Sequence, residues 1–276
     1  MNGAPRVPHA ECRRTATVAG HFGEWVQGRL GPAGPLVLVT VACRALSVRA
    51  LREGDGPLRL RQDPDILTEG RAWQLLSRLG MPPGRFALAA SMPPGGGAGA
   101  STAALVALAR AAGGDCPELA AACLAVEGAS DPLMLPQPDA VLWEPRAARI
   151  RGALAPLPRV EIVGGFLGPG EATDPGDRAF PDIADLVPGL QRAGTPAALA
   201  RIASESARRC TALRGPADDP TERLARDLGA LGYLRAHTGS ARGLIFAPGT
   251  VPERAEAALH GAGFARVLRF ASGGRG

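Results

Sequence analysis

The spacing of apolar and polar positions changes several times along this chain, and each change marks an element. Thr15–Ala19, Leu36–Ala42 and Ala45–Leu51 are rich in Val, Leu, Thr and Ala, which predicts strands. Pro32-Ala33-Gly34-Pro35 supplies the turn between the first pair. Over residues 65–79, Ile66, Leu67, Trp73, Leu75, Leu76 and Leu79 recur at helical spacing among charges, and Gly80-Met81-Pro82-Pro83-Gly84 follows. That pattern predicts a surface helix with a defined stop. Phe86, Leu88, Ala90 and Met92 then alternate with other residues as in a strand, whereas residues 101–112 are almost all Ala, Leu and Val, as in a buried helix. Pro117 is placed to open a further helix running to about Val126.

In the second half, the proline-bearing residues 136–158 predict a crossover, residues 159–166 a strand, and the Gly-, Pro- and Asp-rich residues 168–182 a loop. Helices are predicted over 196–213, 220–231 and 251–263. Two apolar strands flank a Gly/Ser/Thr turn between Tyr233 and Phe246, and a last strand covers 265–270. Residues 1–12 read as a loose arm. Strands and helices mix without strict βαβ alternation, so the fold class is α+β. The length suits one large domain or two small ones sharing a cleft, with halves at 1–150 and 151–276.

Composition narrows the partners. The net charge of +5 comes from arginine alone, because the chain contains no lysine, and only 4% of its residues are aromatic. The arginines are scattered and base-stacking platforms are scarce, so no nucleic-acid partner is expected. The five cysteines form no CxxC pair and the four histidines show no metal-ligand spacing. Free thiols in a reducing compartment are therefore expected, without structural zinc. No apolar run has the length of a membrane span, and a cytoplasmic protein without a membrane partner is expected.

The candidate chemistry centres on Pro93 to Ala104, where four glycines fall within the five positions 95–99. A strand, a glycine loop and a helix N-terminus together form an anion site, since unpaired N–H groups and the positive helix end face the loop. Pro94, Gly95, Gly96, Gly97, Ala98, Gly99, Ala100, Ser101 and Thr102 are the candidate phosphate-binding residues. A Walker loop requires a lysine and is excluded. Gly95 to Ala100 also satisfies a relaxed dinucleotide fingerprint, but no second strand precedes Asp115, because Cys116-Pro117-Glu118 opens a helix. A plain glycine-rich turn stays open on these residues alone. Glu127 and Asp131, four positions apart between a helix and Pro132, could equally be surface charges.

Pro93-x-x-x-Gly97-x-Gly99-x-Ser101 resembles the central motif of the GHMP kinases, P-x-x-x-G-L-G-S-S-A, with Ala98 and Ala100 at the leucine and first serine. Gly20, Gly23, Glu24, Gln27 and Gly28 resemble the opening motif G-x-x-G-E-h-h-Q-G of the family's L-threonine kinase branch. Ala236-His237-Thr238-Gly239-Ser240 is similar to its third motif, A-H-S-G-T. The resemblance implies a two-domain architecture with a ribosomal-protein-S5-like N-terminal half and a ferredoxin-like C-terminal half. It also implies ATP and Mg2+ as cofactors. In those terms Ser101 and Glu127 are the metal residues, Asp131 is the catalytic acid near the acceptor hydroxyl, and Gly23, Glu24, His237, Thr238 and Gly239 line the substrate. One extra residue separates the two acids relative to the branch's E-P-T-D. A threonine pocket needs partners for an ammonium and a carboxylate, for which Glu24 and Arg242 are candidates. The expected activity is phosphorylation of the L-threonine side-chain hydroxyl, feeding the aminopropanol arm of cobalamin. A kinase of another small alcohol (serine, homoserine or an amino alcohol) and a non-catalytic nucleotide-binding regulator stay open. Oligomeric state is left open too.

Overall fold

The computed structural model describes residues 14–171 and 173–274; the arm expected over 1–12 lies outside the described residues, as does Cys12. In chain order the strands are β1 (Thr15–Arg29), β2 (Leu36–Gly54), β3 (Arg59–Asp63), β4 (Arg85–Ala90), β5 (Val141–Glu144), β6 (Arg149–Ala153), β7 (Val160–Phe166), β8 (Gly232–Arg235), β9 (Ala241–Phe246) and β10 (Ala265–Ser272). The helices are α1 (Glu69–Arg78), α2 (Ala100–Ala112), α3 (Leu119–Glu127), α4 (Leu186–Gln191), α5 (Pro196–Arg214), α6 (Thr221–Asp227) and α7 (Ala255–Gly261). The expected α+β class holds.

The strands form one sheet in the order β10-β7-β9-β8-β1-β2-β4-β3, with β5 and β6 branching from β2. A long antiparallel β1–β2 hairpin makes one half, its register running from Thr15↔Leu51 to Arg29↔Leu36. The antiparallel strands β8, β9, β7 and β10 make the other. The two halves join through a single residue pair, Glu24 with Arg235. Phe22 strengthens this seam, with edge-on ring contacts to Phe166 at 5.6 Å and Phe270 at 5.4 Å, each worth about 0.5–1.5 kcal/mol beyond its buried area.

Several expectations shift for local reasons. The two runs around Leu36–Ala42 and Ala45–Leu51 are one strand, because a bulge opposite Ala19/Gly20 absorbs the extra residues between Cys43 and Ser47. β3 reads Arg-Leu-Arg-Gln-Asp and shows no apolar alternation, yet it pairs parallel to β4 at the sheet edge, where charges are tolerated. The segment expected as a crossover contains the β5–β6 hairpin. Short α4 was not foreseen. α1 begins at Glu69 because the Thr68 side chain caps it by accepting from the Arg71 N–H at 3.2 Å.

α2 is buried on almost every face; Ser101 and Arg110 are its only residues not fully enclosed. That burial explains why its sequence carries no polar stripe. It fixes the helix against β1 and β2, with its N-terminus at the seam between the two halves. Cys43, Cys116, Cys123 and Cys210 are free thiols. Among the described residues no helix is long and apolar enough to cross a membrane.

Candidate active site

The glycine loop enters α2 through left-handed backbone at every second position, with φ +69° at Gly95, +76° at Gly97 and +72° at Gly99. Its carbonyls are all taken by neighbours. Gly95 O accepts from Glu171 N (2.9 Å), Gly96 O from Ser240 N (3.1 Å) and Ala241 N (2.9 Å), Gly97 O from Gly23 N (3.1 Å) and Ala98 O from His21 N (3.1 Å). With these oxygens turned toward β1, the β8–β9 turn and Glu171, and the Gly96 N–H donating to Pro93 O at 3.2 Å, the other loop N–H groups have no backbone acceptor among the described residues. The first turn of α2, which has no side-chain cap, leaves further amides without helical partners. Such an arrangement can hold an anion. Glycine is required where the loop meets the turn. A Cβ on Gly97 would stand 2.3 Å from that of Ala236, and one on Gly239 2.4 Å from the Gly97 nitrogen. The three sequence motifs therefore interlock at backbone distance.

Two acids hang from the same first turn. Glu127 ends α3, and Gly128 follows in left-handed conformation (φ +75°), letting the chain double back so that Asp131 also faces the cleft. The Ser101 hydroxyl donates to Glu127 Oε1, and Thr102 Oγ1 lies 3.2 Å from Oε2. Thr102 Oγ1 also accepts from the Asp131 backbone N–H at 3.3 Å. Burial, with help from the Asp131 charge, pushes Glu127 up to about 7. Burial likewise raises Glu24 to about 7, although the neighbouring His21 pulls it back. For His21, burial works against the charged form, but Asp131 and then Glu24 outweigh it and hold the ring above its ordinary value.

The cleft encloses about 280 Å³, and Pro94, Gly95, Gly97, Gly99, Ala100, Ser101, Thr102, Glu127, Asp131, Glu24 and Thr238 all line it. Gly96 and Ala98 are buried behind the loop surface. Gly23, His237 and Gly239 also stand behind it. Gly23 and Gly239 give the loop its backing. His237 is buried, its ring stacked on Phe180 at 4.0 Å and its Nε2 3.0 Å from Ala179 O, while its backbone N–H donates to Glu24 Oε2 at 3.2 Å. Burial and then Arg214 lower the His237 ring to about 4. Arg242 does not reach the cleft; its Nε is paired with Asp219 Oδ2 at 2.7 Å in a separate depression.

Several cleft residues carried no expectation from the sequence, among them His21, Arg71 and Arg146. His21 carried one signal, its place inside the glycine-bracketed stretch two residues before Gly23-Glu24. Nothing in the sequence marks Arg71 or Arg146 among many arginines. Among the described residues no three His, Cys, Asp or Glu side chains gather into a metal site. The Glu127, Ser101 and Thr102 oxygens nevertheless suit a hard cation that keeps phosphate and water ligands. The proton that a raised Glu127 retains is what such a cation would replace.

No family model matches the chain, and no curated protein sequence matches it. Solved structures do resemble it. A mevalonate kinase from methicillin-resistant Staphylococcus aureus MRSA252 superposes with TM-score 0.60 at 17% identity, over 95% of this chain and 100% of that one. A homoserine kinase from Cytophaga hutchinsonii gives 0.62 at 14%, over 97% of each chain. A phosphomevalonate kinase from Streptococcus pneumoniae gives 0.66 at 12%, over 95% and 99%. At such identities the likeness is one of architecture, and on that ground the chain has the two-domain α+β fold of the GHMP kinases.

Proposed function

We propose that this chain is an ATP-dependent kinase of a small alcohol, and that its acceptor is L-threonine, phosphorylated on the side-chain hydroxyl for the aminopropanol arm of cobalamin. The observation that carries the reading is the first turn of α2, where phosphate-binding amides, two hydroxyls and two acids meet in one cleft. The fold and the three interlocked motifs support it. In this reading the halves divide near residue 150, ATP and L-threonine are the partners, and the protein acts in the cytoplasm without nucleic acid or membrane.

The loop amides and the α2 N-terminus bind the phosphates. Ser101 and Glu127 would hold Mg2+, which supplies charge neutralisation on the phosphate oxygens when bound. Asp131 orients the acceptor hydroxyl toward the γ-phosphorus, a task of positioning in which a loose transition state asks little of a base. Glu24, poised near neutrality, suits the acceptor ammonium, whose charge would drive off its proton. With Arg242 engaged elsewhere, Arg71 is the cleft guanidinium group that suits a carboxylate, since Arg146 already donates to the Asp177 carbonyl and lies over the Phe180 ring.

An acceptor screen with coupled ADP detection and product identification tests this. Threonine should give O-phospho-L-threonine at a kcat/KM at least about tenfold above serine, homoserine or amino alcohols, the scale of one well-placed contact. Preference for another alcohol by that margin moves the assignment to that alcohol. Binding of ATP with transfer to none of them makes the chain a nucleotide-binding regulator.

A further inference from the structure

His21 is the one buried titratable group at the cleft to which the proposed kinase reaction assigns no task. The residue is 2% exposed, and its ring edge lies directly behind the last loop glycine, where a Cβ on Gly99 would come within 2.6 Å of Cδ2. Both ring nitrogens face oxygen. Nδ1 is 3.3 Å from the carbonyl of Gly23 and 3.9 Å from Glu24 Oε1, and Nε2 is 3.3 Å from Asp131 Oδ2. A carbonyl can only accept, so Nδ1 carries a proton. A neutral ring would then aim the bare Nε2 lone pair at a carboxylate oxygen, which is repulsive unless a proton lies between them. The arrangement is satisfied when the ring is an imidazolium donating from both sides.

We propose that His21 is a positioning residue that clamps the Asp131 carboxylate on the acceptor side of the phosphate loop and supplies a buried positive charge there. This rests on the kinase reading given above. The proposal accounts for three features together. The chain has no lysine to place against transferring phosphate. Asp131 has its backbone tied to Thr102, but among the described residues its carboxylate has no other charged partner than His21. The imidazolium is itself held from β1 by Glu24 and from the loop after α3 by Asp131, the two charged groups facing it, against the positive end of α2, which disfavours it. A carboxylate engaged by an imidazolium is a poorer base and a better-fixed acceptor of the substrate O–H hydrogen bond. Asp131 then orients the hydroxyl and accepts its proton late, as the bond from the acceptor oxygen to the γ-phosphorus forms and the bond from that phosphorus to the leaving ADP oxygen breaks, without a discrete deprotonation before the transfer.

Two measurements test it. In the intact chain labelled with 15N at histidine, both His21 ring nitrogens should be protonated at pH 7, and Asp131→Asn should lower the ring's titration midpoint. A ring that is neutral at pH 7, or a midpoint unmoved by Asp131→Asn, overturns the clamp whether or not any acceptor is phosphorylated. In turnover, His21→Ala should lower kcat by about a hundredfold, the scale of a misplaced reacting group, while KM for ATP stays within about threefold. His21→Gln keeps a donor toward Asp131 without the charge, so it should recover about tenfold of that loss and flatten the pH profile. If the alanine variant, folded by circular dichroism, keeps kcat within about twofold, or if glutamine is no better than alanine, the proposal fails while the kinase reading stands. If the wild-type chain phosphorylates nothing, that reading falls, and the ring titration alone decides whether the clamp exists.

Discussion

The glycine loop has two faces, and both carry buried charged groups, yet they are balanced in opposite ways. Behind it, Arg242 pairs with Asp219, Arg214 pairs with Asp177, and Arg235 donates to Thr211 Oγ1 (2.8 Å) and to Gly215 O (2.9 Å), the C-cap of α5. Desolvation opposes the charge on Asp219 and Asp177, but hydrogen bonds and arginines win, and both carboxyls titrate below their ordinary range. In front, Glu24 and Glu127 are both raised to about 7, and Asp131 adds further negative charge beside them. His21 is the single buried cation among them. The rear is electrostatically closed and holds a turn in place. Among its buried groups the front is short of positive charge, which is the condition of a site that completes itself with a cation and a ligand.

The contrast can be broken at the point where the two faces touch. Gly97→Val puts a branched side chain at φ +76° and 2.3 Å from the Ala236 Cβ. It should cost about 3–5 kcal/mol of stability and abolish ATP binding, as read by denaturant melts and calorimetry. At the rear, Arg242→Met leaves the Asp219 carboxylate buried beside a lost partner and should cost about 3 kcal/mol. Adding Asp219→Asn should recover part of that, which a pair contributing nothing would not show. At the front, Glu127→Gln should act the other way round. Turnover should fall by about a hundredfold while the melting temperature holds or rises, because a buried charge is removed.

The smallest effect expected is on the pH dependence of stability. The folded value of Glu24, about 7, lies above its unfolded value near 4.5. The native state therefore binds the proton more tightly between those limits, and the Glu24 contribution falls as pH rises from about 4.5 to about 7. Glu24→Gln should flatten this slope and raise stability at pH 8 by on the order of 1–2 kcal/mol, allowing for the attraction to His21 that it also loses. Urea melts across that range would show it, and an unchanged slope would mean that Glu24 is not the strained acid.

What could be read without coordinates follows from local chemistry. Glycine spacing at 95–99 announced the left-handed loop because few other residues adopt those angles. The all-apolar run 101–112 announced a buried helix, and the alternation at Phe86–Met92 the strand before it. Helix α3, with Glu127 at its end and Asp131 after it, was legible for the same reason. β3 and the β5–β6 hairpin were not, because edge strands and proline-flanked hairpins are held by partners far away in the chain and carry little local pattern.

The sequence by itself determined the α+β class, the glycine loop between strand and helix and the presence of acids in the chain after α2, since dihedral preference, periodicity and residue chemistry are local properties. Only the tertiary structure decided which charges share a dielectric. It removed Arg242 and the His237 ring from the cleft by pairing and stacking them at the rear. It brought His21, 110 positions away in the chain, to 3.3 Å from Asp131. Electrostatic coupling depends on distance and desolvation in three dimensions, and neither is written in the spacing of residues along a chain.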